Sequence, residues 1–174
     1  MKVSLRAMEP EDLELLYRIE NDRELWNVGT TNVPYSRYSL HQYIANATGD
    51  IYADRQVRLI VEETKDEALE TGGGETVGLL DIFNFDPRHQ RAEIGIVVQQ
   101  AHRRCGYATQ ALLQAAGYAR DVLRLHQLYA YIDASNEASR RVFLKAGFVP
   151  SNTLHDWLSD EDGFHDALLM QYFF

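Results

Sequence analysis

Cysteine is almost missing from this 174-residue chain, which carries Cys105 and no other. A single thiol closes no internal disulfide and builds no cysteine metal cluster, which suits a reducing compartment. No apolar run approaches the roughly 18 residues needed for a membrane-spanning helix. The opening "MKVSLRAMEPEDLELL" has no apolar core of a secretory leader, so a cytoplasmic location is expected. Basic charge is also short: 17 Lys and Arg stand against 26 Asp and Glu, a net charge of −9. That balance argues against binding along a nucleic-acid backbone and permits a cationic substrate. The histidines, at 41, 89, 102, 126, 155 and 165, have no metal-ligand spacing. No internal repeat, linker or low-complexity tract breaks the chain.

What is present fits an ordinary globular protein, with 45% hydrophobic and 25% charged residues. One mixed α/β domain over residues 1–174 is expected. "KVSLRAM" alternates as a strand, and Pro10 then opens a helix with Leu13, Leu15, Leu16 and Ile19 inward. "YSRYSLHQYIANA" predicts a second helix, with Leu40, Tyr43, Ile44 and Ala47 on its inner face. Strands follow at "QVRLIVEE", "TVGLLDIF" and "RAEIGIVV". Gly72–Gly74 invites comparison with a phosphate loop, but a strand follows it, not a helix, so a hairpin tip is expected. A third helix has Leu112, Leu113, Ala116 and Ala119 inward. "QLYAYID" reads as a strand, and "NEASRRVFLKAG" as a helix closed by Gly147. The tail forms two strands turning at Asp162–Gly163.

"RRCGYATQALL", Arg103 to Leu113, concentrates basic charge and a glycine before the third helix in an otherwise acidic chain. Two readings stand at this point. The stretch is a phosphate site, where free backbone N–H groups and the helix dipole meet an anion, or an exposed helix start with a solvated arginine pair.

Arg103-x-x-Gly106-x-Ala108 after a strand, then a helix, a strand and "NEASRRVFLKAGF", resembles the GNAT family of N-acetyltransferases. The likeness runs from "LRAMEPEDLE" to the terminal strand pair. It is nearest in pattern to the spermidine/spermine and ribosomal-protein-type members. It implies a mostly antiparallel sheet of about seven strands, splayed between the fourth and fifth and flanked by about four helices. It also implies acetyl-CoA as co-substrate and no metal. The pyrophosphate would rest on Arg103, Arg104, Cys105, Gly106, Tyr107, Ala108 and Thr109, with their N–H groups converging on it. Ile96, Val97 and Val98 would pair with the pantetheine arm as an added strand does. Asn136 and Lys145 match coenzyme-contacting positions, although Asn136 also suits a helix cap and Lys145 an exposed helical lysine.

The implied reaction is attack of a neutral amine on a thioester, and Glu93 matches the family's acidic residue for removing the proton. Its neighbours Ala92 and Ile94 lie on the opposite face of the strand. The plainer alternative is a solvated glutamate or a partner for Arg91. Two positions depart from the polyamine-acetylating pattern. Phe143 stands where a tyrosine acid is common, leaving Tyr107, Tyr129 or Tyr131 as donors, no external acid, or Phe143 packed on the pantetheine arm. Phe143→Tyr is expected to raise turnover if an acid is needed. Asn32, Val33 and Asn84 replace the carboxylates of those relatives, with Asp81, Asp86 and Glu63 as substitutes. The acceptor is therefore expected to be a polyamine, a protein N-terminus or a small amino metabolite. A non-catalytic acyl-CoA-binding module and a scaffold remain as alternatives. No nucleic acid or membrane partner is expected, and the aromatic end "MQYFF" either seeds a homo-oligomer or finishes the core.

Overall fold

In the computed structural model, which describes residues 2–26, 33–64 and 74–174, the alternating opening forms β1 (Lys2–Ala7). Pro10–Asp12 make a 3-10 turn with proline at its start, where a missing N–H costs nothing. α1 (Leu13–Glu20) follows and buries Leu15 and Leu16. Two one-turn helices, α2 (Arg23–Trp26) and α4 (Ile51–Asp54), were not legible in the sequence. α3 (Arg37–Asn46) is capped by the Ser36 side chain and buries Leu40. Ala47, expected inward, is its exposed C-terminal cap.

The sheet then builds through β2 (Val57–Thr64), β3 (Glu75–Asp86) and β4 (Arg91–Val98). α5 (Tyr107–Asp121) crosses to β5 (Gln127–Asp133), and α6 (Glu137–Lys145) leads to the hairpin β6 (Val149–Asp160) and β7 (Gly163–Phe173). The expected tip at Gly72 and Gly73 lies outside the described residues, as does Asn32. Among the described residues no helix is long and apolar enough to cross a membrane.

The seven strands lie in the order β1-β2-β3-β4-β5-β7-β6. All neighbours are antiparallel except β4 and β5, which the α5 crossover makes parallel. On one face α1 and α3 cover Ile60 and Leu79. On the other, α5 and α6 cover Leu80, Ile82, Ala92, Ile94, Leu128 and Met170. The buried stripe of α5 is Ala111, Leu112, Ala115, Ala116 and Ala119. Leu113, expected inward, is 48% exposed, because it stands about 100° around the helix from Leu112. The alanines let α5 sit close against the sheet.

Gly147 ends α6 in a left-handed conformation, φ +97°. Phe148 N–H donates to Phe143 and Gly147 N–H to Leu144, the paired bonds of a Schellman motif. The Phe143 and Phe148 rings meet edge-on at 4.9 Å. Tyr172 and Phe174 extend this packing, so the aromatic terminus finishes the core, with Phe173 alone turned outward.

Candidate active site

β4 and β5 pair only at Arg91–Gln127, Ala92–Leu128 and Glu93–Tyr129. Beyond Glu93, β4 stays bonded to β3 as far as Val98. β5 meanwhile continues to Asp133 on β7. The strands therefore part just after Glu93, leaving a gap walled by the Ile94–Val98 and Ala130–Asp133 backbones. This is the splay expected between the fourth and fifth strands. Gly78 backs the wall: a Cβ there would come within 2.1 Å of the Val97 carbonyl oxygen, so only glycine lets β3 approach so closely.

At the far end of β4 the chain turns through a second 3-10 segment, Gln100–His102. Gln99 fixes this turn: its N–H donates to the Val77 carbonyl and its side-chain amide to the Thr76 carbonyl. Arg104 and Gly106 both take positive φ, +65° and +85°. Such an alternation turns successive N–H groups toward one concavity. Among the described residues none accepts from the N–H groups of Arg104 to Thr109, and α5 begins without a side-chain cap. A longer helix whose first turn is left open in this way is suited to an anion.

One expected donor drops out, since Arg103 N–H bonds to the Gln100 carbonyl. The Arg103 side chain folds back, its Nε 3.1 Å from the Val98 carbonyl oxygen, while Arg104 and Cys105 are exposed. The Tyr107 ring is buried, and the neighbouring Glu63 carboxylate, after burial itself, holds its hydroxyl proton more tightly. A cleft of about 130 Å³ beside the loop is lined by Val97, Val98, Gln99, Gln100 and Arg103 together with Arg18 and Leu25.

Glu93 is half-buried, on the face opposite Ala92 and Ile94 as the alternation requires. Burial pushes its carboxyl upward, and a hydrogen bond from Asn84 Nδ2 at 2.9 Å partly opposes that rise. Asn84 sits in a bulge where the β3–β4 register shifts, with φ +49°, a conformation asparagine tolerates better than most residues. The sequence marked Asn84 only as a lost carboxylate, and its role as donor to Glu93 went unseen. Its signal is an asparagine set between two phenylalanines, Phe83 and Phe85, inside a strand. Arg91 pairs with Asp86 at 3.7 Å rather than with Glu93.

The three expected substitute carboxylates are already engaged. Asp81 is held by Arg58, which also binds Glu20. Asp86 accepts from His89 N–H and pairs with Arg91, and Glu63 meets Tyr107. Asn136 caps α6, its Oδ1 accepting from Ser139 N–H at 3.0 Å. Lys145 is exposed on the last turn of α6, and Phe143 is buried in the core. Tyr129 is the register partner of Glu93, and Tyr131 lies two residues farther along the gap.

A parallel strand pair that opens halfway, backed by an uncapped helix start, is the arrangement of the acetyltransferase (GNAT) domain, whose family pattern matches residues 2–149. The chain belongs to that family, and acetyl transfer is its reaction class. Among its relatives is the spermidine N(1)-acetyltransferase of Escherichia coli K12, 26% identical over 89% of this chain and 77% of that protein. A Bacillus subtilis protein that bears the name "Putative ribosomal N-acetyltransferase YdaF" is also 26% identical, over 95% of this chain and 88% of its own. The crystal structure of Vibrio cholerae spermidine N-acetyltransferase in complex with CoA and spermine has the same fold. Its TM-score is 0.82 at 22% identity, covering 99% of this chain and 95% of that one.

Proposed function

We propose that the protein transfers the acetyl group of acetyl-CoA to a primary amine that is cationic in solution, with a polyamine as the favoured acceptor. The observation that carries this reading is Glu93, a burial-raised carboxyl at the point where β4 and β5 separate. The relatives named as spermidine N(1)-acetyltransferases in Escherichia coli and Vibrio cholerae support the acceptor class. So does the net charge of −9. The sole cysteine supports the cytoplasm as the location.

The pyrophosphate rests on the N–H groups of Arg104 to Thr109, with the Arg104 guanidinium adding charge-assisted bonds. Asn136 keeps its side-chain NH₂ available to the coenzyme while its oxygen caps α6. Lys145, exposed on the last turn of α6, is the further cation that the family resemblance assigns to the coenzyme. From Val98 back to Glu93 the strand runs five residues, about 17 Å at ~3.4 Å per residue. An extended pantetheine arm lying along Ile96, Val97 and Val98 covers that span and brings the thioester beside Glu93.

An alkylammonium has a pKa near ~10.4, so well under about 1% is neutral at pH 7. Glu93, directly or through a water, takes the proton. The amine nitrogen attacks the thioester carbon, and a β4 N–H near Val97 or Val98 stabilises the oxyanion. The C–S bond then breaks, the nitrogen's second surplus proton passes through solvent to the departing thiolate, and the amide and coenzyme A thiol are left. A thiol with pKa near ~8.5 leaves without a strong acid, which suits a phenylalanine at 143.

The test is release of free coenzyme A thiol from acetyl-CoA with a panel of polyamines, amino acids and N-terminal peptides. Amine-dependent release that falls roughly 10²-fold or more in Glu93→Gln is expected. Acetyl-CoA binding with no release for any amine, and indifference to Glu93→Gln, would contradict the reading.

A further inference from the structure

The geometry points to an aromatic subsite, built by Tyr131 and Trp157 beside the strand gap, that holds a second, non-reacting ammonium of the acceptor and so selects diamines and polyamines over monoamines. This inference rests on the proposed transfer to a cationic amine and adds residues that neither the family pattern nor the named relatives assign.

Trp157 is not on β6 as a regular strand would carry it. The β6–β7 register breaks between Leu154 and Leu158. Inside that break Asp156 takes φ +51°. One carboxylate fixes the bulge: Asp166 accepts from Asp156 N–H at 3.0 Å and meets His155 Nδ1 at 2.9 Å. Bulges of this kind re-aim a side chain. Here the indole ring comes to 5.8 Å from the Tyr131 ring, centroid to centroid. Tyr131 in turn lies 5.7 Å from Tyr129, the register partner of Glu93. A row of three rings therefore leads from the candidate base out along the β5 wall of the gap.

The inner two rings of the row, Tyr129 and Tyr131, line a shallow cleft of about 160 Å³ with Gln127, Leu169, Gln171 and Arg91, and Trp157 lies beyond that lining, against Tyr131. The outer rings of the row remain solvent-accessible, Tyr131 at 37% and Trp157 at 56%. Exposed aromatic faces cost free energy unless something covers them. Charge decides what kind of occupant this is. From Ala146 to Phe174 the chain has Asp156, Asp160, Glu161, Asp162 and Asp166 and no lysine or arginine. The one guanidinium at the cleft, Arg91, is paired with Asp86. An anionic or neutral partner gains nothing from such a wall. An alkylammonium gains both from the local negative potential and from the indole face, to which a cation within ~6 Å of the centroid is attracted. A long acceptor whose reacting nitrogen reaches Glu93 and whose chain follows the rings carries its far nitrogen toward Trp157.

Steady-state kinetics with spermidine and with n-butylamine test this, comparing wild type with Trp157→Ala, Trp157→Phe and Tyr131→Ala. Expected is a preference for spermidine in wild type. That preference falls roughly tenfold in Trp157→Ala through a higher KM for spermidine. The n-butylamine parameters and spermidine kcat stay unchanged, and Trp157→Phe recovers part of the preference. The wild-type tryptophan fluorescence, less that of Trp157→Phe, is expected to change on adding spermidine, which reads the contact without turnover. An unchanged spermidine preference in Trp157→Ala, with wild type active, overturns the subsite and leaves the acetyltransferase reading intact. Self-association lost in Trp157→Ala would make the occupant a second copy and likewise overturn it. Silence of wild type toward every amine sinks both.

Discussion

Glu93 titrates under two opposing neighbours: burial disfavours its anion, and the Asn84 amide favours it. The net shift is upward from the ordinary 4.5. A carboxyl raised in the fold adds stability below its unfolded pKa and loses it as pH rises through the folded value. With Glu93 as the proposed base, the same shift sets the acid limb of activity, because only the anion accepts a proton. The acid limb of kcat/KM is therefore expected above pH 4.5. Asn84→Gly keeps the positive-φ bulge but removes the donor, and should move that limb to higher pH, as a pH–rate profile would read. A limb that stays put or moves lower would mean that Asn84 does not tune the base. This asparagine illustrates what the sequence could not disclose. Alternation along "AEIGIVV" sufficed to put Glu93 opposite Ala92 and Ile94. The bulge that turns Asn84 onto it depends on a register shift between strands, which no local pattern encodes.

At the scale of elements, every long helix and strand follows from patterns carried within its own residues. The open start of α5 follows from the Gly106 motif, and the close of α6 from Gly147. The errors arose where an element meets its surroundings. Leu113 and Ala47 are apolar residues beside a buried stripe, and only packing decides which apolar column faces inward. Arg103 N–H was spent in a 3-10 turn that no residue type announces, and the Trp157 bulge depends on a clamp from the neighbouring strand. Gly106 gives the sharpest element-level prediction. A Cβ there meets no protein atom within 4 Å, yet φ +85° strains any L-residue. Gly106→Ala should therefore cost only about 1 kcal/mol of stability while putting a methyl group where phosphate approaches. Calorimetry is expected to read at least a roughly tenfold weaker acetyl-CoA affinity. Unchanged affinity would remove this loop from the coenzyme site.

Across the whole molecule, charge is divided: a net −9 surrounds an arginine-bearing loop. On the proposed reading the acidic remainder draws in a cationic acceptor, and salt screens that attraction as the Debye length shrinks from ~10 Å at about 0.1 M to ~3 Å at about 1 M. Over that range kcat/KM for a polyamine should fall steeply while kcat changes little. A flat response would argue for a neutral acceptor. On the proposed reading the fold holds two ends of one ligand, its diphosphate at the start of α5 and its thioester where β4 leaves β5. Backbone amide exchange with and without acetyl-CoA tests both ends at once. Slowed exchange is predicted at Arg104–Thr109 and Ile94–Val98 together, and acetyl-CoA that binds without protecting either segment would contradict the account.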